Sequence, residues 1–445
     1  RRSSDLSAIV ATLIFGGSCC ATISWAIRCA KTTLIRLRTT RMFDQFATVE
    51  PDEAVKLAQR RIEEAQAQGE GSNLAGLTFN EVIVNMGPQH PSTHGVLRLV
   101  VTLDGELVKD VIPVVGYLHR CKEKLAEKRT YYQYIPITDR TEYLAGMNCE
   151  WGYVMTVEQL AGIRPTRRAE FIRVIMAELN RIASHLVAIG TFTADLAPLG
   201  TAMVFYMFRD REMFLDLLES VSGARMMFNY FRFGGVRFDL PNGWVERCRE
   251  VLQKFPKCID EYEALVGTNA IFLERCVGKG VISQQDVVDF AITGPNARAS
   301  GVPHDLRRTR PYSVYPELDF DLPLGEHGDI FDRYQVRIDE MRQSVRIIEQ
   351  ALDMLPKGPV QVGSLRAPYA IAPPPGECYA SQENPRGEYG TYVVSDGSRY
   401  PYRLKFRDPC FMNLQIFPKL LRGNKIADAV AISGSMDLVL GGIDR

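Results

Sequence analysis

The sequence has ten cysteines but no CxxC motif, and no group of three or four has the spacing of metal ligands. It therefore gives no indication that this chain holds an iron–sulfur cluster or a structural zinc ion. A disulfide framework is also disfavoured, because the chain is long and its cysteines are unevenly spaced. We interpret them as mostly reduced, buried thiols of an intracellular compartment.

The sequence also has no excess of charge of either sign. The 53 lysines and arginines balance the 53 aspartates and glutamates, so the chain as a whole has no general attraction for nucleic acid or anionic lipid. A hydrophobic content of 46% with 24% charged residues is ordinary for a folded protein. The 445 residues are enough for a large core.

A long uncharged stretch runs from Leu6 to Ile27, within a segment of 41 residues that has seven basic residues and one acid, Asp5. The stretch is long enough to cross a bilayer. A segment poor in acids and rich in arginine and serine is also typical of organelle targeting. Three alternatives stay open: a membrane-spanning or membrane-surface anchor, an extended arm along a partner, and a retained presequence.

The remaining pattern predicts an α+β fold that is mostly α, with a central helical bundle and small antiparallel β elements contributed by both chain ends. We expect five regions in chain order. They are a basic, apolar N-terminal anchor or arm (1–41), a charged helical linker (42–79), a β region with an HPSTHG loop (80–125), the helical bundle (126–360) and a C-terminal β/α region (361–445).

Apolar residues three and four positions apart predict a long helix through Ala169–Gly190, and on another of its faces Glu178, Arg181 and His185 follow one another. A second long helix is expected over residues 329–355. A charged helix should begin at Pro51, with acidic residues in its first turn. Alternating apolar runs predict two β-hairpins, with turns at Asp104-Gly105 and Asp396-Gly397.

Two histidines and one tyrosine are candidates for chemistry. His90 and His94 lie in the loop GPQHPSTHG, because proline follows His90 and glycine follows His94. A zinc pair is disfavoured, since the HExxH pattern on a helix is absent; proton donation and a purely structural role stay open. Tyr143, in TDRTEYL, is either a proton donor or a buried core tyrosine.

A series of motifs runs in order from about residue 80 to 445. They are GPQHPSTHGVLRL, YLHR-x-x-EK, DR-x-x-YL, VSGARM, FGGV, DLR-x-T-x-PY, EMRQS-x-RII, GEYG-x-Y-x-VSDGS-x-x-PYR and VLGGIDR. With these motifs the chain resembles the quinone-reducing 49-kDa core subunit of respiratory complex I. That family is in turn similar to the large subunit of nickel–iron hydrogenases, so the resemblance implies a hydrogenase large-subunit-like fold.

The resemblance also implies roles for five residues. His94, the second histidine of HPxxHG, and Tyr143, of DRxxY, would bind the quinone headgroup, and Asp195 would pair with that histidine. Arg120 and Arg140 would lie toward a [4Fe-4S] cluster held by the neighbouring subunit. The substrate would be ubiquinone, and this chain would hold no metal of its own.

Two electrons added to a quinone create negative charge on both carbonyl oxygens, so the site needs hydrogen-bond donors that act most strongly late in the reaction. Tyr143 and a protonated His94, with Asp195 stabilising the imidazolium, would supply them. NADH and flavin would belong to other subunits, because the sequence has no phosphate-cradling glycine motif.

The chain departs from the family at several positions. Met227 and Val114 stand where the family has histidines, and Cys121 stands where it has glycine. Between Leu355 and Gly387 a helical insert of many members is missing. The hydrogenase metal site is not expected either: DPCFMN has Cys410, but Asn413 replaces the second thiol and no earlier CxxC exists.

The resemblance implies a hetero-oligomer with no nucleic acid. The expected partners are the iron–sulfur subunit beside the quinone, other core subunits, and membrane-arm subunits reached through the N-terminal segment. The expected location is the matrix side of the mitochondrial inner membrane, and the activity that of an H⁺-translocating NADH:ubiquinone reductase. The alternative is a catalytically silent structural subunit of a related membrane-bound dehydrogenase or hydrogenase-like complex.

Overall fold

A computed structural model describes residues 51–67, 73–74, 77–78, 81–93, 95–196, 198–363 and 371–445. The predicted N-terminal anchor or arm, residues 1–41, lies outside the described residues. The predicted charged helix is present as α1, Pro51–Ala67. The domain boundaries proposed from the sequence remain proposals.

Antiparallel strands form the N-terminal β region. The strands are β1 (Asn73–Leu74), β2 (Leu77–Thr78), β3 (Val82–Met86), β4 (Arg98–Asp104) and β5 (Leu107–Val114). β1 pairs with β2, and the other three form a sheet in the order β3–β4–β5. Asp104 pairs with Leu107, so the hairpin turn consists of Gly105 and Glu106, one position later than predicted. Gly105, with a φ of 61°, supplies the left-handed conformation of that turn.

The helical body follows. Its first elements are α2 (Lys122–Ala126), α3 (Tyr131–Thr138), α4 (Gly146–Ala161), α5 (Arg167–Ala194) and α6 (Pro198–Ser222), then the short strands β6 (Phe231–Arg232) and β7 (Gly235–Val236). Its later helices are α7 (Trp244–Tyr262), α8 (Ala270–Cys276), α9 (Gln284–Asp289), α10 (Pro295–Ala299), α11 (Leu306–Thr309) and α12 (Ile330–Asp353).

α5 is the central helix of this body. Its predicted apolar stripe is buried, and so are Glu178, Arg181 and His185, each 0% exposed. The polar face is buried because α4, α6 and α12 all pack against α5. A helix buried on every side is expected only where its charged side chains have partners inside the protein.

The C-terminal region contains a second antiparallel sheet and four short helices. They are β8 (Gly376–Asn384), β9 (Gly387–Ser395), β10 (Arg403–Arg407), α13 (Pro409–Leu414), α14 (Phe417–Leu421), α15 (Ile426–Ser435) and α16 (Leu440–Asp444). The predicted hairpin at Asp396-Gly397 joins β9 to β10. β8 is an addition to the prediction. It is inconspicuous in the sequence because its last residues, Gln382, Glu383 and Asn384, are polar although they are fully buried.

The architecture confirms the predicted fold class, α+β and mostly α, with small antiparallel sheets on a helical body. Among the residues described, no helix has both the length and the apolar character needed to cross a membrane.

Candidate functional site

Thr93 connects described residues of the HPSTHG loop. Its hydroxyl shares its single proton between the carbonyl oxygens of His90 (2.8 Å) and Gly95 (3.0 Å). His90 is exposed, and its Nδ1 accepts the Ser92 N–H at 3.2 Å, so its ring supports the loop. His94, the predicted quinone ligand, lies outside the described residues. The described residues contain no group of three or more side chains that could hold a metal ion.

Tyr143 lies in the turn that joins α3 to α4 and is half-buried. Burial raises the pKa of Tyr143, and the positive charge of Arg386 opposes that rise. The neutral phenol is therefore the resting form at neutral pH, held beside a cation that would stabilise the phenolate. A proton donor of this kind is what the predicted chemistry needs.

Arg386, whose side chain is 1% exposed, anchors the residue next to Tyr143. Its guanidinium forms an ion pair with Glu142, donates to Ser184 Oγ at 2.9 Å, and donates to Asp437 Oδ1 at 2.7 Å. Burial raises the pKa of Glu142 to about 7, and the Arg386 charge acts in the opposite direction. A single arginine thus joins the Tyr143 turn to α5 and to the segment before α16.

Sequence patterns alone do not single out Arg386. It lies in the two-residue connection between β8 and β9, a place where an exposed arginine is ordinary. Its three partners come from three other parts of the chain, up to 244 positions away. The glycine that follows it in PRGEYG is a weak signal, because it marks only a tight turn.

The helix α16 contacts several of the segments that carry predicted site residues. A methyl group built on Gly95, next to His94, would lie 3.3 Å from Leu440 Cδ2. One built on Gly441 would lie 2.8 Å from the Thr141 carbonyl oxygen and 3.2 Å from Tyr143 Cδ1. The tyrosine turn and the end of the HPSTHG loop therefore meet on the same five-residue helix.

The same helix holds the loop of Arg120. The Asp444 carboxylate accepts the backbone N–H of Gly116 (2.8 Å) and of Leu118 (2.6 Å). The His119 ring donates from Nδ1 to the Asp444 carbonyl oxygen at 2.6 Å. These bonds hold residues 116–119 against Asp444, and they therefore fix the position of the backbone directly before Arg120.

The two predicted cluster-facing arginines are both exposed. The Arg140 guanidinium donates to the carbonyl oxygen of Pro136 in the last turn of α3. Beside it, the buried Asp139 carboxylate accepts the Asn229 N–H at 2.9 Å, so the loop that contains Met227 lies next to this turn. An exposed pair of guanidinium groups on loops tied to one helix is suited to facing another subunit.

Asp195 ends α5 as its C-cap and is half-buried. The structure thus brings Tyr143, Arg140 and the loop of Arg120 together at α16, and Asp195 lies at the end of a different element. Its pairing with His94 stays a prediction. A small cleft of about 280 Å³, including its open mouth, lies beside the HPSTHG loop. Its walls include Ser92, Thr93, Leu97, Phe417, Ser433 and Leu438.

Buried ion pairs connect α5 to other parts of the protein core. Glu178 accepts hydrogen bonds from Arg181 (3.1 Å) and Arg307 (3.2 Å). Glu340 accepts from Arg298 at 2.7 Å and is hydrogen-bonded to His185 at 2.9 Å. Burial would raise the pKa of each carboxyl group, but the neighbouring arginines hold both below their usual values. The charged side chains on this face of α5 therefore pair with other buried residues and stabilise the protein core.

Several departures from the resembling family, and Cys410 of the hydrogenase-like motif, lie among the described residues. Val114 is buried in β5 and fills core space. Cys121 and Met227 have positive φ angles, 53° and 56°. Residues other than glycine, asparagine and aspartate seldom adopt such angles. Cys410 is buried, its sulfur accepts the Val439 N–H at 3.4 Å, and burial raises the pKa of its thiol. The neutral thiol is favoured there over the thiolate that metal binding requires.

Comparison with known proteins identifies the family. The model of a family described as the 49-kDa subunit of respiratory-chain NADH dehydrogenase matches residues 199–445. An NADH-quinone oxidoreductase subunit from Desulforamulus reducens is 52% identical over 364 residues, which cover 82% of this chain and 98% of that protein.

Two further relatives give the same result. The NADH-quinone oxidoreductase subunit from Geotalea uraniireducens is 51% identical over 385 residues, covering 81% of this chain and 98% of that protein. The one from Roseiflexus sp. is 49% identical over 374 residues, covering 83% and 100%. The chain belongs to the family of the 49-kDa subunit of respiratory-chain NADH dehydrogenase.

Proposed function

We propose that this protein is the quinone-reducing core subunit of a proton-pumping NADH:quinone oxidoreductase, and that it forms the quinone pocket together with an iron–sulfur subunit beside it. Family membership supports the complex. The observation that carries the site is the meeting of the Tyr143 turn and the Gly95 end of the HPSTHG loop on α16.

The proposed chemistry is transfer of two electrons and two protons to ubiquinone. A [4Fe-4S] cluster held by the neighbouring subunit would supply the two electrons, one at a time. As negative charge develops on a quinone carbonyl, the Tyr143 phenol donates its proton to that oxygen. Arg386 lowers the cost of the resulting phenolate, since it already acts against the rise in the pKa of Tyr143.

His94 is the second donor in this proposal, and Asp195 stabilises its imidazolium form. The proposal requires a positioned His94, because a donor held in place before the reaction loses less orientational freedom at the transition state than a mobile one.

Arg120 and Arg140 are assigned to the surface that faces the neighbour's cluster. Both are exposed, and both are tied to α16, where Tyr143 also packs. A fixed positive charge near a cluster favours its reduced form, and the effect is stronger where water is excluded. A second subunit covering this surface would exclude that water and complete the wall of the pocket.

The proposed setting is the peripheral arm of the complex, with the other core subunits as partners. Membrane-arm subunits would be reached through the N-terminal segment. We place the complex at the mitochondrial inner membrane, on the matrix side, which the arginine-rich and acid-poor N-terminal segment favours. The three relatives are bacterial, so fractionation of cells with an antibody to this chain is the direct test of location.

The variant Tyr143→Phe tests the proposal. It removes the phenolic proton and leaves the ring that packs near Gly441. We expect quinone reduction to fall by about two orders of magnitude, a typical contribution of a positioned general acid. NADH oxidation by an artificial acceptor such as ferricyanide should be unchanged. Full quinone activity in this variant would support the catalytically silent structural subunit instead.

A further inference from the structure

Lys122 is a buried lysine that no predicted role accounts for. It is 4% exposed, at the start of α2 and two positions after Arg120. Buried lysines are rare unless their ammonium group is paired. The Lys122 Nζ donates hydrogen bonds to two backbone carbonyl oxygens, that of Arg140 at 2.6 Å and that of Gly441 at 2.9 Å.

Those two carbonyl groups belong to the two elements that meet at the proposed site. Arg140 begins the turn that contains Tyr143, and Gly441 is in α16. The elements are in van der Waals contact, since a methyl group on Gly441 would lie 3.3 Å from the Arg140 carbonyl oxygen. A lysine ammonium group has three donors, and a carbonyl oxygen is an acceptor. The ammonium group of Lys122 therefore links the two elements through one hydrogen bond to each.

The charges around Lys122 fit a group that works as a shared donor. Burial lowers the pKa of Lys122 to about 8, while Cys149, Asp408 and Asp444 act to raise it and Arg120 acts to lower it further. The hydrogen bonds of its Nζ go to the two carbonyl groups, and the acids act from farther away. Because a buried charge is costly to keep, its presence here fits a group that holds two elements together.

We propose that Lys122 is a positioning residue for the quinone-reducing site, which bridges the Arg140–Tyr143 turn to α16 and thereby sets the position of the Tyr143 phenol. This inference rests on the proposed function, because it assigns Lys122 an effect on quinone reduction that operates through Tyr143. Lys122 itself does not touch the substrate.

The test is a double-mutant cycle in the assembled complex, with Lys122→Met, Tyr143→Phe and both together. We expect Lys122→Met to lower kcat for quinone reduction on the order of tenfold, since small misplacements of a catalytic group are costly. NADH oxidation by ferricyanide reports the subunits that bind NADH and should be retained, and native gels should show that the variant complex assembles. In the Tyr143→Phe background, Lys122→Met should cause no further loss, because the phenol that it positions is already absent.

Lys124→Met is the matched control. Lys124 is on the same helix but exposed, and it pairs with Glu127 at the surface. This variant should keep wild-type kcat. Lys122→Arg retains a charged donor and should restore more than half of the activity that Lys122→Met loses.

A second route to the same contact guards against a folding failure of Lys122→Met. Gly441→Ala places a methyl group 2.8 Å from the Thr141 carbonyl oxygen and should push the turn away from α16. It should lower kcat as Lys122→Met does and lose its effect in the Tyr143→Phe background. Gly267→Ala, whose new methyl group would have ordinary contacts at 3.8 Å, should have no effect.

The outcomes separate the proposed function from the role of Lys122. If Tyr143→Phe keeps full quinone activity, the proposed function fails, and the positioning role fails with it. If Tyr143→Phe is impaired but Lys122→Met equals Lys124→Met, only the role of Lys122 is overturned. The same holds if the losses from Lys122→Met or Gly441→Ala multiply with that from Tyr143→Phe, since an independent structural defect would give that result.

Discussion

Gly441 lies so close to Tyr143 that a methyl group added to the glycine would come within 3.2 Å of the tyrosine ring. The contact joins a turn that follows α3 to a helix at the far end of the chain.

Replacing Arg386 with methionine should destabilise the subunit severely. Arg386 is buried with Glu142 and Asp437 on its guanidinium group, and its removal leaves both carboxylates unpaired. The free energy of unfolding should fall by about 3–5 kcal/mol. We expect this to appear as a loss of assembled complex on native gels. Arg346→Met, which breaks exposed ion pairs, should cost about 1 kcal/mol or less.

The double variant Arg386→Met with Glu142→Gln provides the internal check on that explanation. It removes one of the two stranded charges, so it should assemble better than Arg386→Met alone. Equal or poorer assembly would mean that shape, and not uncompensated charge, is what Arg386 supplies.

The predicted pairing of His94 with Asp195 should appear as non-additive loss of quinone reduction. If Asp195 stabilises the imidazolium, His94→Gln and Asp195→Asn should each lower kcat about tenfold, and the double variant should be no worse than His94→Gln. Steady-state assays with a short-chain quinone measure all three. Losses that multiply would show that the two side chains act separately.

If the proposed neighbouring subunit holds a cluster near Arg140, Arg140→Met should lower the midpoint potential of that cluster. Removing a fixed positive charge makes the reduced cluster less stable, by an amount on the order of tens of millivolts at protein-like dielectric constants. A redox titration followed by electron paramagnetic resonance measures the shift. Arg249→Met, which removes an exposed arginine paired with Asp353, should leave the potential unchanged.

Asp139 should make the stability of the complex depend on pH. Burial raises the pKa of Asp139 from 3.8 to about 7, against the opposing effects of the Asn229 N–H, Arg140 and Arg232. The folded state therefore holds this proton more tightly than the unfolded state. The stabilisation is complete below about pH 4, and it is lost as the pH rises toward 7, at up to about 1.4 kcal/mol for each pH unit.

Asp139→Asn removes that titration but keeps an oxygen that can accept the Asn229 N–H. Thermal midpoints of the complex measured from about pH 5 to 8 should fall less steeply in Asp139→Asn than in wild type. Asp353→Asn, an exposed carboxylate, is the control and should follow the wild-type curve. Parallel curves for all three proteins would assign the pH dependence to other groups.

Much of the fold could be predicted because its signals are local. The apolar stripe of α5 and the two hairpins are patterns within about 20 positions, and the structure contains all three. The family resemblance is confirmed as well, because its motifs are long and keep their order. The first hairpin turn lies one residue later than predicted, because Asp104 is still paired with Leu107 in the sheet.

What could not be predicted depends on partners far away in the chain. The burial of Glu178 follows from Arg307, 129 positions later, and that of His185 from Glu340, 155 positions later. Lys122 likewise has the sequence context of a surface lysine, in a charged segment, until Gly441 is folded against it. No periodicity within a single element carries that information.

The position of α16 in the chain has a consequence for biosynthesis. Chains begin to fold from the N-terminus while they are still being made, yet the turn of Tyr143 and the loop of Arg120 rest on residues 440–444, which follow every other described element. A nascent polypeptide can thus begin to form its helices early, but the Tyr143 turn and the loop of Arg120 cannot be held by α16 before residue 444 has left the ribosome. A chain that ends before residue 440 would lack the contacts of α16 with the Tyr143 turn and with the loop of Arg120.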